Sequence, residues 1–250
     1  MITTALTEPL TAALPRQTAM RLAATEYQRF ADLLRSLQPD DWAKPTECAG
    51  WDVREMAAHM LGMVEMAASF RENNRQVKLA RSRGGVFIDA LTGLQVDERR
   101  HMTPAQITSR FAERAPKAAR ARRRAPGFIR RRTMPDVQEV GGRDEAWTIG
   151  YCIDIILTRD PWMHRGDLAR ATGAPHVLTA DHDGVIVADV VAEWAARHGR
   201  PYALHLTGPA GGRWSSGDGG AEIEADAVEF CRGLSGRGRA DGLLATPVPF

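Results

Sequence analysis

The sequence predicts an α+β protein, a helical bundle over residues 1–174 followed by a small α+β domain over 175–250. Two observations carry this. Through the first two-thirds of the chain apolar residues recur at helical steps of three and four. After "ATGAPH" the texture changes to short alternating segments separated by glycine-rich turns and flanked by amphipathic helices. With 250 residues, 44% of them hydrophobic, the chain is long enough to bury a full-sized core.

Each element has its own signal. Ala23, Tyr27, Phe30, Leu34 and Leu37 form one apolar face, so a first helix runs from about Thr18 until Pro39 stops it. The loop "QPDDWAKPTECAGW" is rich in proline and turn residues, and its two tryptophans are expected to pin it onto the bundle. Asp52 and Glu55 have capping-box spacing, which starts a second helix near Val53. Thr103 and Pro104 read as an N-cap followed by proline at the first helical position, continued by Ile107 and Phe111. A long pattern from Asp144 to Thr172 sets Ile149, Ile153, Ile156, Asp160, His164 and Asp167 on one face that turns from apolar to ionisable halfway along. Beyond it come a helix through "VIVADVVAEWAARHG", strands at "YALHLTG", "GRWSS" and "AEIEAD", and a helix through "AVEFCRGL".

Thirty-three basic against thirty-one acidic residues give a net charge of +2, so no global field draws the chain to nucleic acid or an anionic membrane. The seven arginines between Arg120 and Arg132 are the one local feature that suggests nucleic acid. With one aromatic among them and no recognised motif, a solvated loop or an oligomer contact is the expectation. Cys48, Cys152 and Cys231 are far apart and match no disulfide or metal framework, which fits a reducing cytoplasm. No membrane span or signal peptide is read.

His59 shares its helical face with Met56, Met63 and Met66, so its imidazole needs a partner from elsewhere in the chain. Asp160 and His164, four apart, project from one face about a turn apart. Together with His59 they offer two imidazoles and a carboxylate inside a bundle, leaving a position open for water or substrate as in catalytic zinc sites. Two plainer readings stand beside this. Asp160 before Pro161 is also an N-cap pattern that would split the long helix, and a lone buried histidine can be an ordinary core residue.

The stretch "DWAKPTECAGWDVREMAAHMLG", followed about a hundred residues later by "TRDPWMHRGDLARATG", resembles the mycothiol-dependent maleylpyruvate isomerase family of the DinB-like metalloenzyme superfamily. The C-terminal part resembles the family more loosely, through "EFCRGLSGRGRADGLLATP". The resemblance implies a DinB-like four-helix bundle in which His59, Asp160 and His164 bind a divalent metal, usually zinc. It also implies a C-terminal arginine reaching into the active site, with Arg237 the counterpart ahead of Arg232 and Arg239. Asp160 departs from the family pattern, which has glutamate there. Asp167 is expected to orient a ligating imidazole, and Arg165 and Arg170 to lie on the wet side of their helix.

A thiol on a divalent cation loses its proton at neutral pH, becoming a nucleophile for an electron-poor carbon. The expected function is therefore a mycothiol-dependent enzyme acting on a small-molecule electrophile, either a maleylpyruvate-type cis–trans isomerase or a thiol S-transferase. The alternatives are a catalytically silent metal-binding or regulatory protein and, less favoured, a nucleic-acid-associated protein using the arginine run.

Overall fold

The computed structural model describes residues 8–238 and 240–250. Helix α1 (Arg16–Ser36) buries Tyr27, Phe30 and Leu34, and a 3-10 turn at Pro39–Ala43 then lays Trp42 against the same core. Helix α2 (Val53–Ala68) opens with the expected box: Asp52 Oδ1 accepts from the Glu55 N–H at 2.7 Å, and Glu55 Oε2 accepts from the Asp52 N–H at 3.0 Å. Two further helices, α3 (Phe70–Arg83) and α4 (Phe87–Arg99), separate it from α5 (Pro104–Arg124), whose cap is Thr103 with Gln106. A short helix α6 (Gly127–Arg130) leads into a hairpin of β1 (Gln138–Val140) and β2 (Arg143–Glu145). Helix α7 (Ile149–Tyr151), a π-helical turn at Cys152–Ile156 and α8 (Leu157–Thr172) then form one continuous helical run.

Helices α1, α2, α5 and α8 pack into the four-helix bundle. The remainder comprises α9 (Asp183–His198), β3 (Tyr202–Thr207), β4 (Gly212–Ser216), β5 (Ala221–Asp226) and α10 (Ala227–Leu234). In its three-stranded sheet β3 is central, antiparallel to β4 and parallel to β5. The fold is thus α+β, a DinB-like bundle with a small sheet-bearing unit. Helix α8 belongs to both parts. Leu168 lies in the bundle core with Met56 and Phe111, while Trp162 and Met163 pack with Val190, Trp194 and Phe230.

Several expectations change. The long pattern does not start at Asp144, because residues 143–145 pair as a strand and Thr148 caps the helix. Asp160 is not an N-cap, since the helix runs through it. Arg165 is not on the wet side: it is buried, donating to Glu26 at 2.6 Å and Asp183 at 2.7 Å. Arg170, as expected, is solvent-facing, with Glu47 and Glu229. The arginine run is no loose loop but the end of α5, α6 and the turn that follows it, and two of its members are buried.

Those two buried arginines have a structural task. The π turn shifts the helical register, and Arg122 answers one carbonyl within it and one just after it, donating to Ile153 O at 2.6 Å and Leu157 O at 2.8 Å. The same guanidinium reaches Thr158 Oγ1 and the Tyr27 hydroxyl, and Arg130 pairs with Asp154 inside the turn. Leaving those carbonyls unanswered costs on the order of 1–3 kcal/mol. Arg122→Leu is therefore expected to lower unfolding free energy by about 2–4 kcal/mol in denaturant titration. A loss below about 0.5 kcal/mol, the scale of an ordinary surface change, would show the contact to be dispensable.

A second buried cluster joins α1 to the start of α9. Glu26 accepts from Arg165 and from His182 at 2.8 Å, and Asp183 accepts from Arg29, Arg165, the Thr179 N–H and Trp162. Burial alone would raise the Glu26 carboxyl, but Arg165 and His182 outweigh it and hold its pKa below the ordinary 4.5. A carboxyl lowered on folding contributes stability above its unfolded pKa and loses it as pH falls toward the folded value. Wild-type stability should thus drop on acidification below about 4.5. Glu26→Gln should flatten that limb and cost about 3–5 kcal/mol at neutral pH by stranding Arg165. An unchanged acid limb in Glu26→Gln, followed by thermal denaturation against pH, would refute the assignment.

Candidate metal centre

Two helices bring the ionisable residues together. His59 enters from α2, and Asp160 and His164 from consecutive turns of α8. His164 Nε2 lies 3.3 Å from Asp160 Oδ1, His59 Nε2 lies 3.9 Å from the same oxygen, and the two ring centroids are 5.4 Å apart. Donor atoms of all three residues fall within 4.8 Å of one another. Both imidazoles are buried.

The outer partners fix which nitrogens point inward. His59 Nδ1 donates to Gln95 Oε1 at 2.8 Å, and His164 Nδ1 donates to Asp167 Oδ2 at 3.1 Å. Each ring then keeps a hydrogen on Nδ1 and faces Nε2 toward Asp160, the orientation a metal ligand needs; a bound metal would take the place of any Nε2 proton. Gln95 is itself held, because its amide nitrogen donates to Gln76 Oε1 at 2.9 Å and Gln76 donates to Gly62 O at 3.2 Å. Gly62 is required for this approach: a Cβ there would stand 2.5 Å from the Gln95 side chain.

Asp167 lies at 0% exposure between the two parts of the fold. Arg237 donates to it through Nε, at 3.0 and 3.1 Å, and its Nη2 is 2.9 Å from Oδ2. Arg237 is therefore held behind His164, beside Cys48, whose Sγ is 3.7 Å from Nη2. Arg232 pairs with Glu47 and Glu229, and Arg239 lies outside the described residues. Burial would raise the Asp160 carboxyl, yet His164 and His59 hold it well below the carboxylate range. Burial likewise disfavours the His164 cation, but Asp160 and Asp167 hold that group well above an ordinary imidazole.

Such a carboxylate between two imidazoles calls for a cation. Asp160 Oδ2 is buried and has no hydrogen-bond partner among the described residues, a cost that a bound metal removes. Two nitrogens and one oxygen suit a divalent ion such as zinc, and the 3.3 Å spacing matches the roughly 3.3 Å edge of a tetrahedron with bonds near 2 Å. The residues therefore fit a metal. They form one wall of a cleft of about 510 Å³ that also includes Cys48, Trp51 and Phe250.

The sequence of residues 23–169 matches the family described as the mycothiol maleylpyruvate isomerase N-terminal domain, and the chain belongs to that family. The fold is similar to the crystal structure of the mycothiol-dependent maleylpyruvate isomerase, with a TM-score of 0.58, 16% identity and 92% of each chain covered. A histidine-to-alanine mutant of mycothiol-dependent maleylpyruvate isomerase is similar at a TM-score of 0.57 and 15% identity, again over 92% of each chain. No curated protein matches. The chain is thus a maleylpyruvate isomerase-like protein, and no helix among its described residues is long and apolar enough to cross a membrane.

If His59, Asp160 and His164 share one ion, metal per chain should fall to near zero in His59→Gln and His164→Gln, since two ligands hold a divalent ion poorly. Gln95→Leu should keep the ligands and weaken metal binding by about 10–100-fold, the usual effect of losing a partner that orients a ligand. Metal at the wild-type level in all three variants, with only melting temperature lowered, would make His59 an ordinary core histidine.

Proposed function

We propose that this protein is a mycothiol-dependent metalloenzyme in which His59, Asp160 and His164 hold a divalent ion, zinc by its donor set, for chemistry between a thiol and a small-molecule electrophile. When bound, the ion would stabilise the thiolate form of the cosubstrate at neutral pH. The chain's own residues hold the site ready for it. Gln95 and Asp167 keep both Nδ1 hydrogens in place, Trp51 stands 5.2 Å from the His59 ring as a wall of the cleft, and Arg237 fixes Asp167. Arg237 is on this reading a positioning residue. Addition of the thiolate to an electron-poor double bond, rotation about the resulting single bond and elimination gives cis–trans isomerisation. Protonation of the resulting carbanion in place of elimination gives conjugation.

One observation carries the reading: two imidazole Nε2 atoms and a carboxylate oxygen without a hydrogen-bond partner among the described residues converge on the wall of a cleft large enough for a small substrate. An isolated core histidine would need neither the cleft nor the second imidazole. The reading includes a division near residue 174, with the C-terminal part contributing Arg237, and a reducing cytoplasmic setting consistent with three free cysteines. Titrating mycothiol into cobalt-substituted protein tests it. A new sulfur-to-cobalt charge-transfer band is expected, and an unchanged cobalt spectrum at saturating thiol would leave the metal without a part in thiol chemistry.

A further inference from the structure

Building on that reading, we infer that the cleft selects an uncharged, largely apolar electrophile rather than a dicarboxylate. Its volume of about 510 Å³ is bounded mainly by Trp51, Met63, Ile88, Ile156, Leu157 and Phe250. Among the described residues lining it none is lysine or arginine. Apart from Asp160 the only carboxylate side chain among the described residues lining it is Asp89, exposed on the first turn of α4.

Among the described residues the arginines nearby are committed elsewhere. A carboxylate substrate is ordinarily held by a guanidinium offering two parallel N–H groups. Arg237 spends Nε and Nη2 on Asp167, and Arg232 is paired with Glu47 and Glu229. Diverting Arg237 to a substrate would take from fully buried Asp167 its one hydrogen-bonded cation among the described residues, leaving the Arg232 guanidinium at 3.7 Å and the imidazole it orients.

Charge balance points the same way. A divalent ion is neutralised by Asp160 together with a thiolate cosubstrate, Arg237 cancels Asp167, and Asp89 remains as an uncompensated negative charge. A dicarboxylate would thus lose hydration on entering an apolar cleft, gain no cation and meet a like charge. An unsaturated ester, enone or aryl halide loses little hydration and buries apolar surface against Trp51 and Phe250.

Matched pairs of ligands test this, one reactive and one inert. Dimethyl succinate and succinate differ in charge and cannot react, so calorimetry on the metal-loaded protein saturated with mycothiol, whose thiolate completes the charge balance, reads the cleft without any chemistry. The diester should bind at least about tenfold more tightly, and Asp89→Arg should improve succinate binding by about tenfold while leaving the diester within about twofold. Succinate binding as tightly as the diester in the wild type, no diester binding, or an unaltered preference in Asp89→Arg would each overturn the inference. Dimethyl maleate and maleate then separate it from the reading beneath. With mycothiol present, the rate enhancement over the uncatalysed reaction should favour the diester. If the binding preference holds and neither maleate compound consumes thiol or isomerises to its fumarate form, the inference about the cleft stands and the thiol-activation reading fails.

Discussion

A carboxylate with no access to water must be answered by the protein, and Asp167 is answered from both halves of the chain. His164 donates to it from the preceding turn of α8, and Arg237 donates from the segment after α10. Arg237 balances its charge, with the Arg232 guanidinium 3.7 Å away, so in this low-dielectric setting losing Arg237 is the costlier change. Asp167 sets the orientation of the His164 ring, and with it the direction in which Nε2 faces Asp160. It also ties the C-terminal segment to the back of the candidate metal centre, so the ring's orientation and one link between the two parts meet at a single side chain.

Helix α8 is held in the same manner along its length. Arg159 reaches Asp189 at 2.6 Å and Glu193 at 2.8 Å on α9, and Arg165 reaches Glu26 on α1. Each of these pairs sits among apolar residues, where geometry must be good for the attraction to offset the loss of hydration. A helix fixed on two sides at several heights has little freedom to slide or rotate. Such rigidity suits a site whose ligands must be preorganised to within a fraction of an ångström.

Much of this was legible in the sequence. The Asp52–Glu55 and Thr103–Gln106 caps announce α2 and α5 because their chemistry is local, and the three strands were readable from alternation and glycine turns. The His59, Asp160 and His164 grouping could be conceived from spacing on two helices, although only three-dimensional packing brings the helices together. Gln95 was missed, since a glutamine on α4 carries no motif and its value comes from the His59 ring it meets. Gly62 on α2 was a hint, as a helix-interior glycine often marks a close approach. Arg165 was misplaced because its helix is enclosed on every side, and a buried arginine with two buried carboxylates has no periodic signature. The Ile149–Ile153–Ile156 face was read with a uniform period of 3.6, and the π turn breaks that period.

That turn bears on how the chain can change its length. A π turn accommodates one residue more than the α-helix would, and everything downstream is phased by it. An α-helix turns about 100° per residue, so losing one residue between Cys152 and Ile156 would swing the side chains of Asp160, His164 and Asp167 together away from His59. The exposed turn around Gly217 and Gly219 can absorb insertions and deletions with little consequence for the bundle. Among relatives that keep the three-residue site, the spacing from Thr148 to Asp160 is therefore constrained as tightly as the residues themselves. A gap placed there would mark a chain that has given up the centre even where both histidines and the aspartate remain.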